Sequence, residues 1–230
     1  MIDKTVASAE AAVADIRDGA TVMIGGFGTA GMPSELIDAL IANGAHDLTI
    51  INNNAGNGEA GVAALLKARR VRKIICSFPR QVDSYVFDAL YRAGDIELEL
   101  VPQGNLAERI RAAGAGIGAF FTPTAYGTLL AAGKETREIN GRNHVLEYPI
   151  HADFALIKAD RGDRWGNLIY RKTARNFGPI MASAAKCAIA QVREIVALGA
   201  LDPEVIVTPG VFVRRVVEVR DTPAAALREA

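Results

Sequence analysis

An excess of charge of either sign is missing from this sequence: 26 Lys and Arg are balanced by 26 Asp and Glu. With no basic stripe to meet phosphate backbones or anionic lipid, nucleic acid and membrane surfaces are not expected partners. No apolar run approaches the length of a membrane span. The opening MIDKTVASAEAAVADIRDG carries acidic residues early and no uninterrupted apolar stretch, which argues against a secretory signal and for a cytoplasmic protein. Cysteine is scarce. Cys76 and Cys187 each sit among apolar neighbours (IICSF, AKCAIAQV), the setting of buried reduced thiols rather than of a disulfide or a metal pair. His46, His144 and His151 show no ligand spacing, so no metal is expected. Internal repeats and low-complexity linkers are also missing. Residues 1–219 therefore read as one domain, and the Ala-rich 220–230 as a frayed tail.

Apolar residues, by contrast, make up 50% of the 230 residues, enough for a full core. From residue 21 they alternate between short β-rich runs (TVMIGG, DLTIINN, RKIICSF, IELELVP, IGAFFT) and longer runs with helical spacing. In PSELIDALIANG, Leu36, Ile37, Leu40 and Ile41 form one stripe, Pro33 suits the first helical position, and Asn43-Gly44 supplies a stop. In QVDSYVFDALYRAG, Val82, Tyr85, Val86 and Leu90 do the same. Repeated β-α units imply an α/β fold with a mostly parallel sheet and helices on both faces. Asn105 with Glu108 resembles a capping box at the start of the fourth helix. From about residue 122 to 152 the rhythm breaks, strand signals are few, and a lid, interface or insertion is expected. The pattern resumes with DFALIKAD, a turn through RGDRWGN, a helix near 180–185, and strands at CAIAQV and VFVRRVVEV.

Gly26, Gly28 and Gly31 spell G-x-G-x-x-G, the formal fingerprint of a dinucleotide-binding turn. Two features oppose that reading. A helix starting inside the motif would contain Pro33, which removes a backbone donor. The next strand ends in Asn52-Asn53-Asn54, where an acid for the ribose should stand. The glycines instead form a long loop ahead of a helix. If the strands are parallel, their C-terminal ends carry GGFGTAG, NNNAGNG, SFPRQ and PQGN, and ligands of open α/β sheets bind beyond that edge. Side-chain amides from Asn52, Asn53, Asn54 and Gln103, bare backbone from Gly25 to Gly31 and one cation, Arg80, suit an acyl oxyanion, whose donors must be fixed before charge develops. Each residue has a plainer alternative: a helix cap for Gln103, turn formers for the asparagines, a surface ion pair for Arg80. Ser77 lies at the same edge with no histidine placed by sequence to activate it.

Asp18-Gly19, the run Val22 to Ile24, Gly25-Gly26-Phe27, Gly31 and Pro33 resemble the first signature of the CoA-transferases that act on 3-oxoacids. SFPRQVDSYVFDALYRAG, VPQGNLAERIRAAGAGIGAFFTPTAYGTLLAAGKE and HADFALIKADRGDRWGNLIYRKTARNFGPIMA are similar to the α subunit of that family, to about residue 219. The resemblance implies the family I CoA-transferase fold and a ping-pong reaction. A glutamate attacks succinyl-CoA, an enzyme-CoA thioester forms, and CoA passes to 3-oxoadipate, with acetoacetate as the rival acceptor. The family's glutamate stands in a Ser-Glu-Asn-Gly motif on a β subunit. None of the 13 glutamates here has those flanks, so a hetero-oligomer with that β subunit is implied. CoA thioester is then a substrate and no cofactor is permanently bound. Gln103, in Pro102-Gln103-Gly104, matches the family glutamine that donates to the substrate or thioester oxygen. The first-signature residues Gly25, Gly26, Phe27, Gly28 and Gly31 match the loop beside the active site. Arg80, or Arg137 and Arg142 if the 122–152 segment closes as a lid, could anchor the second carboxylate of a dicarboxylic substrate. A small-molecule sensor on the same fold would carry a helix-turn-helix segment, and none is visible.

Overall fold

The computed structural model describes residues 2–219, so the 220–230 tail lies outside the described residues. A two-residue strand, β1 (Thr5–Val6), leads into a short helix, α1 (Ala9–Val13), whose first turn is capped by Ser8 Oγ accepting from the Ala11 amide at 3.2 Å. Four β-α units follow: β2 (Thr21–Ile24) with α2 (Ser34–Asn43), β3 (Leu48–Ile51) with α3 (Val62–Lys67), β4 (Val71–Cys76) with α4 (Tyr85–Ala93), and β5 (Glu97–Leu100) with α5 (Gln103–Gly114). The strand β3 reads LTII and is buried along its whole length, as a parallel strand covered on both faces must be. Leu36, Ile37 and Leu40 of α2 are fully buried, and Gly44 ends the helix in the left-handed conformation. Pro33 stands one residue earlier than expected, as the N-cap.

Two expectations are corrected. The helix α5 starts at Gln103, not after Asn105, so no capping box forms. Instead the buried Asn105 amide donates to Glu147 Oε1 at 3.1 Å. The 122–152 segment is not an irregular loop. The strand β6 (Phe120–Thr122) leaves the main sheet and joins β7 (Thr136–Ile139) and β8 (Arg142–Glu147) in an antiparallel sheet of order β6-β8-β7. Asn140 and Gly141, with φ of 52° and 74°, connect β7 to β8, the two positive values that a tight hairpin turn requires.

The chain then returns to the main sheet through β9 (Ala152–Asp163), turns back over β10 (Leu168–Ile169), passes a 3-10 turn at Lys172–Arg175, and finishes with α6 (Gly178–Ala184), β11 (Ala185–Val196) and β12 (Val213–Glu218). The main sheet has the order β1-β12-β11-β9-β2-β3-β4-β5, every neighbouring pair parallel, with β10 antiparallel on β9. One core packs α1 to α4 against one face through residues such as Val13, Leu40, Leu66 and Phe87. The other packs α5 and α6 against the opposite face through Leu106, Ile110 and Met181. Strand order therefore runs outward from β2 to β5 on one side and from β9 to β12 on the other. The C-terminal end of β2, beside β9, is the point where connections diverge and a crevice opens.

Candidate active site

The glycine loop 25–31 begins at this divergence. Gly25 extends the ladder one residue past β2, its amide donating to the Leu156 carbonyl at 2.9 Å. Phe27 and Ala30 then exchange backbone hydrogen bonds of 3.0 and 3.2 Å around Gly28-Thr29, and Gly28 has φ +61°. This reversal leaves the Phe27 ring half exposed at the tip. One side chain from far along the chain holds the loop: Asn176 Oδ1 accepts from the Gly26 amide at 3.1 Å, and its Nδ2 donates to the Ala30 carbonyl at 2.9 Å. Gly31 has φ +73°, and any Cβ there would be driven into the Ala174 carbonyl oxygen. Close approach to the 172–177 segment is thus one physical reason for a glycine in this loop.

The next two loops are stitched together by amides. Asn52, wholly buried, donates from Nδ2 to the Ile24 carbonyl at 2.6 Å, and its Oδ1 accepts from the Asn54 amide at 2.9 Å. Asn54 Oδ1 accepts from the Gly56 amide at 2.9 Å, while its buried Nδ2 has no partner among the described residues. Asn53 has a different part. Its Oδ1 accepts from Ser77 Oγ and from Gln103 Nε2, both at 2.8 Å. The Ser77 proton therefore goes to an amide oxygen rather than to a base, which leaves the hydroxyl unactivated. Burial pushes the neighbouring Cys76 thiol up to about 12, against a smaller lowering from the Phe78 backbone, so it is no nucleophile at neutral pH either.

Gln103 is the first residue of α5, after Pro102 as the N-cap, and its side chain reaches back to Asn53. Held by Asn53 through one amide hydrogen, it has a second to offer. The first-turn amides of α5 lack intrahelical acceptors and add the positive end of the helix dipole. Phe27, Gln103, Gly104, Ala107, Asn176, Phe177 and Ile180 surround a cleft of about 320 Å³. A second hollow, about 720 Å³, shares Phe27 and Asn176 with it and is lined also by Ala30, Lys172, Thr173 and Arg175.

The structure thus brings Gly25, Gly26, Phe27, Gly28, Gly31, Asn52, Asn53, Asn54 and Gln103 to one sheet edge. Arg80 lies on the loop between β4 and α4, where its Nε donates to Asp88 Oδ1 at 2.6 Å, and it lines neither hollow. Arg137 belongs to the small sheet, paired with Glu135 at 2.9 Å and stacked over the Phe121 ring at 4.6 Å. Asn176, Phe177, Lys172 and Arg175 were not singled out by sequence reasoning. They follow β10, a strand too short to carry a periodic signal, and Asn176 acts across 150 positions.

The family model described as Coenzyme A transferase matches residues 6–219. The chain is 73% identical to the A-type subunit of the 3-oxoadipate CoA-transferase of Pseudomonas putida, covering 100% of both chains. It is 67% identical to the protein of the same name from Acinetobacter baylyi, covering 98% of this chain and 99% of that one. Among solved structures, the apoenzyme of an acyl-CoA transferase from Escherichia coli O157:H7 superposes with a TM-score of 0.85 at 22% identity. That alignment covers 94% of this chain and 47% of the larger protein, a likeness of fold.

Proposed function

The chain belongs to the coenzyme A transferase family, and from that premise we propose that it is the α subunit of a heteromeric 3-oxoadipate CoA-transferase. It moves CoA from succinyl-CoA to 3-oxoadipate together with a β subunit that carries the nucleophilic glutamate in Ser-Glu-Asn-Gly. Full-length identity to proteins named as the A-type component of that enzyme supports the substrate and the partner.

The observation that carries the chemistry is Gln103. Its amide is oriented by Asn53 at the mouth of a cleft, in a chain with no Ser-Glu-Asn-Gly sequence of its own. Each acyl transfer passes through a tetrahedral centre whose oxygen gains charge, and a donor already fixed in place stabilises that charge without reorganising. Gln103 donates its remaining N–H to this oxygen. The glycine loop, clamped by Asn176, shapes the wall against which the acyl group lies, and Phe27 excludes water from it. The carboxylate that receives the acyl group arrives on the partner.

Assay of the purified chain with succinyl-CoA and 3-oxoadipate, alone and after mixing with a β chain carrying Ser-Glu-Asn-Gly, tests this function. Transfer should occur only in the mixture. CoA exchange by the isolated chain at ordinary enzyme rates would refute the division of the enzyme between two chains, and a mixture that uses acetoacetate but not 3-oxoadipate would refute the substrate.

A further inference from the structure

We propose that Lys172 and Arg175 form the subsite for the distal carboxylate of the dicarboxylic substrates, and so decide the preference for a diacid over a monoacid. The inference rests on the proposed acyl transfer at Gln103 and goes beyond it by naming what binds the other end of the substrate.

Three observations lead there. Both side chains line the larger hollow, which meets the Gln103 cleft at Phe27 and Asn176, residues common to the two. Both are exposed, and among the described residues neither has a carboxylate partner. Other arginines without an acid partner, Arg171 beside them included, line neither hollow. Lys172 is also held at φ +50°, a conformation uncommon for a residue with a side chain. Two unpaired cations fixed on a tight turn beside an acyl cleft are complementary to an anion reaching out of that cleft.

Size favours the substrate's own carboxylate over the phosphates of CoA. The terminal carbons of an extended six-carbon diacid lie roughly 6 Å apart, from C–C bonds of about 1.5 Å. That span suits neighbouring hollows. The phosphates of CoA are separated from the reacting sulfur by the whole pantetheine arm and would reach well past it. Arg80, committed to Asp88, need not take part.

The test takes the complex of this chain with its β subunit through two acceptors, 3-oxoadipate and 3-oxohexanoate, which differ by a carboxylate in place of a methyl group. In a ping-pong reaction kcat/KM for the acceptor reports only the second half-reaction, so the donor's own carboxylate does not intrude. Lys172→Asn, tolerant of the positive φ, and Arg175→Gln should each reduce the ratio of kcat/KM for the diacid over the monoacid by about tenfold or more, the loss expected for a charged hydrogen bond. Arg175→Lys should restore part of it. An unchanged ratio in both variants would overturn the inference, whether activity is kept or lost equally for both acids. A rise confined to the KM of the CoA ester would overturn it in favour of phosphate binding. A wild-type complex inactive with 3-oxoadipate would instead defeat the proposed function, which separates the two failures.

Discussion

In the proposed function Gln103 and Asn53 divide one task between them: one amide donates to the reacting centre and the other, accepting from it at 2.8 Å, decides where it points. In the proposed role Gln103 acts on charge that exists only in the transition state, so Gln103→Ala should lower kcat by roughly 10²- to 10³-fold. Stability should fall by no more than about 1 kcal/mol, the net worth of one hydrogen bond. Steady-state kinetics and urea unfolding on the same variant distinguish this from a structural role, which predicts the stability loss with near-normal kcat. The glycine loop offers a second comparison. Gly28 and Gly31 both have positive φ, but a Cβ at Gly28 would meet open space and one at Gly31 would strike the Ala174 carbonyl. Gly28→Ala should therefore cost only the left-handed strain, about 1 kcal/mol. Gly31→Ala should cost clearly more and also reduce activity, because it pries the loop from Asn176. Equal midpoints in thermal unfolding would contradict this packing account.

At the scale of elements, the small antiparallel sheet is fastened to α5 by a buried carboxylate. Glu147 accepts from Lys134 at 2.7 Å and from Asn105 at 3.1 Å, and lies 3.7 Å from Arg109. Glu147→Gln keeps the shape but leaves Lys134 without its counter-charge. It should destabilise the protein by about 1–3 kcal/mol in urea unfolding, and a change below about 0.5 kcal/mol would show that the network contributes little. This sheet is also where sequence reading failed. Its strands TREI and RNHVLE carry exposed charged residues, so the period-2 apolar signal is diluted. The Asn140-Gly141 turn between them was the legible cue. In β2 to β4, α2 and α3 burial follows the apolar pattern closely, but the stripe expected on α4 does not hold. Val82 precedes the helix and is exposed, Tyr85 is exposed too, and Phe87 with Leu90 makes the buried contact, while Leu100 of the edge strand β5 is partly exposed. Asn105 was misread for the reason that hid Asn176: its partner, Glu147, is supplied by a distant element, and nothing local announces it.

For the whole molecule, stability should be steady near neutrality and fall in acid. Asp15 is held below the usual carboxylate range by its hydrogen bonds to Arg215, and Asp153 by those from Lys186 and the Thr21 amide. Burial raises Glu99, but hydrogen bonds from Lys73 and Arg109 outweigh it and leave it low. Carboxyls whose folded pKa lies below the unfolded value of 3.8 or 4.5 contribute fully above that value. Their contribution is lost as pH falls through the folded one. Asp38, raised by burial and by Glu35, works the other way, one group against these and against Asp3, Glu10 and Glu59, which are lowered as well. The urea midpoint should hold between about pH 7 and pH 5 and drop below about pH 4.5. A midpoint that rises on acidification would contradict these assignments.

The central claim is that this chain supplies a positioned donor and a substrate wall while the group that carries CoA belongs to its partner. Mass spectrometry of the assembled complex after incubation with succinyl-CoA and no acceptor reads this directly. The account predicts a CoA adduct, linked as a thioester, on the β chain at the glutamate of Ser-Glu-Asn-Gly, with this chain at its unmodified mass. A thioester adduct on any residue of this chain would contradict it.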